Sequence, residues 1–130
     1  MPMNVGLTIA GSLGLVLALG HTIASRVILA ALPAPLPASR FGDGQFTRHA
    51  VVDTFYSLSV MLAAPGVVLL ALASIDHVDH RGLLVGMIGA SYAATLFPQA
   101  WMNRRQPSRL LRLPPFWLVV AISALCWTST

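Results

Sequence analysis

The stretch that decides the fold is TFYSLSVMLAAPGVVLLALASI, residues 54–75, which holds no charged side chain. A helix needs about 20 apolar residues to cross the roughly 30 Å hydrocarbon core of a bilayer, so this stretch predicts a transmembrane span. Comparable stretches predict four spans in all, at about residues 5–25, 54–75, 82–102 and 113–130. We therefore expect an all-α, integral membrane four-helix bundle in which residues 1–130 form a single transmembrane domain.

The composition agrees with a membrane protein. Charged residues make up 9% of the chain, whereas a typical soluble domain has about 25%. So few charges cannot cover the apolar surface of a soluble domain, but lipid can serve as its solvent. The basic residues are all arginine and the acidic ones are all aspartate. A chain rich in alanine that uses arginine and no lysine indicates a high-GC bacterial genome. We expect a multi-pass protein of the bacterial cytoplasmic (inner) membrane.

The arginines are distributed unevenly between the connections. Seven lie in or beside the first and third connections, and the second connection holds only Arg81. The positive-inside rule then places the first and third connections in the cytoplasm. This predicts an up-down-up-down bundle with both termini on the outer (periplasmic) side. The lipid bilayer, with anionic lipid headgroups beside the cytoplasmic arginines, is the expected partner, and no nucleic acid is expected to bind.

Two spans carry small residues at four-residue spacing. The row in the third span comprises Gly82, Gly86, Ala90 and Ala94, with Gly89 and Ala93 alongside. The row in the first span comprises Gly6, Ala10, Gly14 and Ala18. Such rows let helices approach closely. The spacing favours packing inside the bundle and leaves a homodimer, or contact with another membrane protein, as the alternative.

Ionisable groups inside a membrane are costly, so each is a candidate functional group. His21 lies within the first span, and Ser25 follows one turn later on nearly the same face. Arg26 and Asp53 lie near the ends of spans one and two, where they would pair if the spans are neighbours. Together they define a candidate intramembrane polar site, either a clamp on the helix ends or a proton or ion site.

The turn DHVDHR, residues 76–81, joins the second and third spans and concentrates potential metal ligands. Its two carboxylates and two imidazoles, from Asp76, His77, Asp79 and His80, are suited to zinc, copper or nickel. The turn is short and matches no standard ligand spacing, so solvated polar residues at a hairpin are the plainer interpretation. The first connection, residues 33–49, is expected to be a loop, with a turn at Asp43-Gly44.

Motifs for catalysis and for resident cofactors are lacking. No nucleophile elbow, Walker loop or zinc-protease motif occurs, and Cys126 is the only cysteine. Haem would need histidines facing each other, but His21 and His49 lie at different depths and the remaining two lie on the opposite side. We expect no enzymatic activity and no cofactor.

Two segments resemble a known group of proteins. GHTIASRVILAALP, residues 20–33, and FTRHAVVDTFYSLSV, residues 46–60, resemble a family of uncharacterised small four-helix bacterial membrane proteins. The matching positions are His21, Arg26, Thr47 and Arg48. Where that family has a Trp-His pair in helix two, this chain has Phe55-Tyr56. The resemblance covers the first half of the chain and implies a topology only.

Three functional hypotheses follow. The first is a non-enzymatic packing, assembly or accessory protein, suggested by the rows of small residues. The second is a small transporter or ion-conducting subunit, suggested by His21 and by Pro65, which is expected to kink the second span. The third is a metal- or haem-binding redox accessory, suggested by the four histidines.

Overall fold

The structure is a computed structural model that describes residues 4–33, 36–38, 40, 42–75 and 78–130. Within these ranges every regular element of secondary structure is a helix, which confirms the all-α prediction for this part of the chain. The helices are α1 (Val5–Ala31), α2 (Gly44–Ser74), α3 (Arg81–Ala94), α4 (Leu96–Met102), α5 (Pro107–Leu110) and α6 (Pro114–Thr128).

Three helical segments are long and apolar enough to cross a membrane, namely Val5–Ala31, Gly44–Ser74 and Arg81–Trp101. They correspond to the first three predicted spans. α6 has 15 residues, which at about 1.5 Å per residue gives a helix of roughly 22 Å. It begins at Pro114-Pro115, as expected of prolines in a first helical turn. The fourth crossing stays a prediction, because α6 is shorter than the other three segments.

The second helix begins ten residues before the predicted start of its span, inside the segment expected to be a loop. Asp43 is its N-cap, and the Asp43 carboxylate accepts a hydrogen bond from the backbone N–H of Phe46 at 2.8 Å. The Thr47 hydroxyl adds a bond to the Asp43 carbonyl at 3.0 Å. An aspartate in this position satisfies N–H groups that a helix start leaves without partners, so the helix extends beyond the apolar stretch.

The third apolar segment is interrupted at Thr95, between α3 and α4. Pro98 has no N–H to donate to the carbonyl of Ala94, and its ring crowds that carbonyl. In addition, the Thr95 hydroxyl donates to the carbonyl of Tyr92 at 2.7 Å, and side-chain bonds of this kind often bend helices. The chain resumes as α4 after this single residue.

The helices do not all contact one another equally. α1 packs along α2 and also against α6, and α3 packs mainly against α6, with few contacts to α2. The buried apolar side chains lie between these helices: Leu7, Ala10, Leu17, Ala18, Leu62, Leu69, Leu72, Ala73, Val85, Tyr92, Val119, Ile122 and Cys126. Many large apolar side chains face outward, including Val16, Met61 and Met87. A lipid environment removes the cost of exposing them.

Candidate functional site

The first two helices cross at three glycines, and this crossing sets the register of the site. A Cβ on Gly11 would lie 2.7 Å from the carbonyl oxygen of Gly66, and one on Gly14 would lie 3.2 Å from the Cα of Gly66. The two backbones can approach this closely because none of the three residues has a side chain. At the end of the pair, the backbone N–H of Asn4 donates to the carbonyl of Ala73 at 3.1 Å. α1 and α2 are therefore antiparallel neighbours.

This register brings His21 of α1 beside Ser59 of α2. The Nδ1 atom of His21 lies 2.9 Å from the Ser59 hydroxyl and 3.4 Å from the Ser25 hydroxyl. The imidazole also stacks on Phe55, with the ring centroids 6.0 Å apart. Both serines are buried. The structure thus places His21 and Ser25 together, as predicted from their spacing, and adds Ser59 and Phe55, which the sequence analysis missed.

The hydroxyl bonds of the two serines assign their roles. Ser25 donates to the backbone carbonyl of His21 at 2.7 Å, so its proton is engaged within α1. At 2.9 Å from Nδ1, the Ser59 hydroxyl can be the donor to that atom, an arrangement that corresponds to a neutral imidazole with its proton on Nε2. Ser59 also has an acceptor on its own helix, the Phe55 carbonyl at 3.3 Å. By turning its proton to that carbonyl, the hydroxyl can accept a hydrogen bond from the Nδ1–H of a charged imidazole, so this arrangement can satisfy both protonation states of His21.

Arg26 and Asp53 occupy the same level of the α1–α2 pair as the register predicts, but their side chains do not meet. Both are exposed. Neither makes an ion pair with the other in the part of the chain that the structure describes. The polar contact between these helices is made instead by His21 and Ser59.

The predicted metal site is only partly within the described residues. Asp76 and His77 lie outside them. Asp79 and His80 are exposed, and His80 adopts the left-handed backbone conformation with φ of 58°. Among the described residues, no three His, Cys, Asp or Glu side chains come together as a metal site. The metal site in the DHVDHR turn therefore stays a prediction.

His49, the other histidine considered for haem, lies on α2 ten residues before Ser59. That separation is about 15 Å along a helix. Its side chain is exposed. His21 and His49 therefore do not face each other.

Tyr92 joins α3 to the α1–α2 crossing and was not singled out by the sequence. Its hydroxyl donates to the backbone carbonyl of Leu62 at 2.7 Å, and its side chain is 2% exposed. A Cβ on Gly14 would lie 2.6 Å from that hydroxyl, so the absence of a side chain there makes room for it. The only signal in the sequence was a tyrosine inside an apolar span, where its O–H needs a partner.

The row of small residues on α3 faces away from the rest of the chain. Positions Gly82 and Gly86 have no described atom within 4 Å of where a Cβ would be. Ala90 and Ala94 are exposed. The neighbouring Gly89 is the one that packs inside, where a Cβ would lie 2.8 Å from the Cβ of Cys126. The sequence favoured internal packing for both rows, and on α3 the structure places the four-residue row outside.

No family model, curated protein or solved structure matches this chain. The resemblance of residues 20–33 and 46–60 to a family of small bacterial membrane proteins therefore stays a prediction.

Proposed function

We propose that this chain is a non-enzymatic multi-pass membrane protein that acts by assembly, in which α3 offers its outer face to another transmembrane helix. A second copy of the same chain is the first candidate for that partner. The observation that carries the proposal is the outward row of Gly82, Gly86, Ala90 and Ala94. In lipid there is little hydrophobic force between helices, so close backbone approach at small residues is a principal source of association.

Two further observations support this proposal. α3 contacts α6 along one side and has few contacts with α2, so much of its surface has no neighbour among the described residues. α6 is only 15 residues long, and helices shorter than the bilayer core favour oligomerisation as one way to relieve the mismatch.

The histidine site supports a packing role as well. The Nδ1 atom of His21 is engaged by Ser59 across the α1–α2 interface. Hydrogen bonds of this kind hold transmembrane helices together. His21 is accordingly assigned the role of a polar contact that joins α1 to α2.

The test compares two glycines that both face open space. Donor-labelled and acceptor-labelled copies, with fluorophores at the termini, are reconstituted together in vesicles, and energy transfer is measured against dilution in lipid. Gly86→Leu should weaken self-association about tenfold, equivalent to about 1.4 kcal/mol. Gly20→Leu is the matched control, because a Cβ on Gly20 of α1 would also have no described atom within 4 Å.

Equal association of the wild-type chain and Gly86→Leu would overturn the role of the α3 face. If energy transfer between wild-type copies falls on dilution in lipid as it does for a membrane protein that does not associate, a second copy is excluded as the partner.

We place the protein in the bacterial inner membrane with the first and third connections in the cytoplasm. The support is the seven-to-one distribution of arginines between the two sides. A reporter that is active only in the cytoplasm, fused after Thr130, should then be inactive. Strong activity would reverse the orientation or require an odd number of crossings.

A further inference from the structure

The connection between α4 and α6 differs in charge from the other basic connection. Residues 104–112 contain four arginines and no acidic residue, a net charge of +4. Residues 26–53 contain three arginines and two aspartates, a net charge of +1. Residues 80–130 contain no acidic side chain, so the arginines of the later connection have no acidic neighbour in this stretch of sequence.

Two of these arginines are free to bind an external anion. Arg105 and Arg112 are exposed and have no ion pair or hydrogen bond within the described residues. Arg104 is held differently: its guanidinium lies 4.5 Å from the centre of the Trp101 ring and donates to the Trp101 carbonyl at 3.1 Å. Stacking on an aromatic ring leaves the guanidinium charge in place while fixing its position.

In the sequence, one tryptophan precedes these arginines and another follows them. Trp101 lies at the end of α4 and Trp117 in the first turn of α6, and both are more than half exposed. The Trp117 indole N–H donates to the carbonyl of Leu111 at 2.8 Å, which ties α6 to the connection before it. Tryptophan rings of membrane proteins concentrate at the level of the lipid headgroups. We therefore expect arginines that lie between two such tryptophans in the sequence to reach the depth of the lipid phosphates.

We propose that Trp101, Arg104, Arg105, Arg112 and Trp117 form a binding site for an anionic lipid, with the arginines on the headgroup phosphate and the indoles beside the upper acyl chains. We name these five residues the arginine–tryptophan collar. Guanidinium groups suit phosphate because their planar N–H groups match its oxygens. The exposed Leu111 and Leu113 favour a lipid over a soluble anion, because both add apolar surface beside the charges. This site is independent of the α3 face.

The protein's own tryptophans report on the site. The full chain with Trp127→Phe retains Trp101 and Trp117 as fluorophores at the collar. It is reconstituted in phosphatidylcholine vesicles, and quenching by brominated phosphatidylglycerol is compared with quenching by brominated phosphatidylcholine. The fluorescence of Trp101 and Trp117 should be quenched by brominated phosphatidylglycerol at a much lower fraction of the lipid than brominated phosphatidylcholine requires. Trp101→Phe/Trp117→Phe retains only Trp127, near the end of α6 remote from the collar, and should show no preference.

Two double variants with the same change in net charge locate the effect. In the Trp127→Phe background, Arg105→Gln/Arg112→Gln should reduce the preference for the anionic lipid by about fivefold for each arginine, or roughly 25-fold. Arg26→Gln/Arg48→Gln leaves the five collar residues in place and changes only the overall charge, so it should change the preference by no more than about twofold. Raising the salt concentration should weaken the preference in the chain that retains all eight arginines.

Several results would overturn this proposal. Equal quenching by both brominated lipids at the collar would mean that there is no selective site. Equal losses in the two double variants would assign the preference to overall charge. Abolition of the preference by millimolar inorganic phosphate, or by an RNA oligonucleotide, would assign the arginines to a free phosphate or to a nucleic acid.

Discussion

Rows of small residues occur at the same spacing on α1 and on α3, and the two helices use them in opposite ways. On α1, Ala10 and Gly14 are buried, and Gly14 meets both α2 and Tyr92. On α3, Gly82 and Gly86 face open space. The α1 row forms the interior of the chain, whereas the α3 row is available to a helix from elsewhere.

The contrast separates two properties of a row of small residues: its capacity for close approach and its choice of partner helix. The spacing specifies that a helix can approach closely, but it does not specify which helix does so. That choice depends on the partner: α2 presents Gly66 to α1, whereas none of the described residues opposes the α3 row at Gly82 or Gly86. The same pattern therefore contributes to folding in one helix and remains available for assembly in the other.

The largest difference between the two rows should appear when alanine replaces glycine. Gly11→Ala/Gly14→Ala would place methyl groups 2.7 Å from the Gly66 carbonyl oxygen and 2.6 Å from the Tyr92 hydroxyl. Overpacking against a backbone should lower the free energy of unfolding by about 2–4 kcal/mol for the pair. Gly82→Ala/Gly86→Ala adds methyl groups in open space and should leave stability unchanged or raise it by up to about 1 kcal/mol.

The measurement is reversible unfolding in mixed detergent micelles, at protein dilutions where the chain is monomeric. A loss of stability in the α3 variant equal to that in the α1 variant would erase the distinction between the two rows. It would also show that the α3 glycines contact atoms of the same chain.

A smaller effect should distinguish a serine at the α1–α2 interface from one on the exposed side of α3. The hydroxyls of Ser59 and Ser91 each lie within hydrogen-bond distance of a carbonyl of their own helix. Ser59 also lies 2.9 Å from Nδ1 of His21 on α1. Ser59→Ala should cost about 1 kcal/mol, within the range measured for hydrogen bonds between transmembrane helices. Ser91→Ala, on the exposed side of α3, should have no measurable effect on the free energy of unfolding.

Nitrogen-15 NMR of the imidazole checks the same contact without relying on stability. We expect Ser59 to donate to Nδ1, at 2.9 Å, so neutral His21 should carry its proton on Nε2 in the wild-type chain. Ser59→Ala should increase the fraction with the proton on Nδ1, and Ser91→Ala should not. A wild-type imidazole with its proton on Nδ1 would refute the assigned direction of this hydrogen bond.

Several features could be predicted because they depend on local chemistry. Uninterrupted apolar stretches predict the three long segments, since the bilayer sets a minimum length. His21 and Ser25 are four residues apart, so helical geometry alone brings them together. Pro114-Pro115 marks the start of α6 for a similar reason.

Other features depend on information that a hydropathy pattern does not contain. The contact between His21 and Ser59 spans 38 positions in the sequence and requires the register set by the glycine crossing. The early start of α2 follows from the Asp43 cap, which competes with the turn that Asp43-Gly44 also favours. The interruption at Thr95 follows from Pro98, which hydropathy counts merely as one more residue in the span.

Cys126 gives the protein an internal measure of its own motion. It is the only thiol in the chain, it is 0% exposed, and it lies against Gly89 where α6 meets α3. A thiol reagent reaches the sulfur only when those two helices separate, so the labelling rate reports how often that contact opens locally. The labelling rate of the unmodified chain thereby shows whether α6, its shortest candidate membrane helix, remains packed against α3 or separates from it on the timescale of labelling.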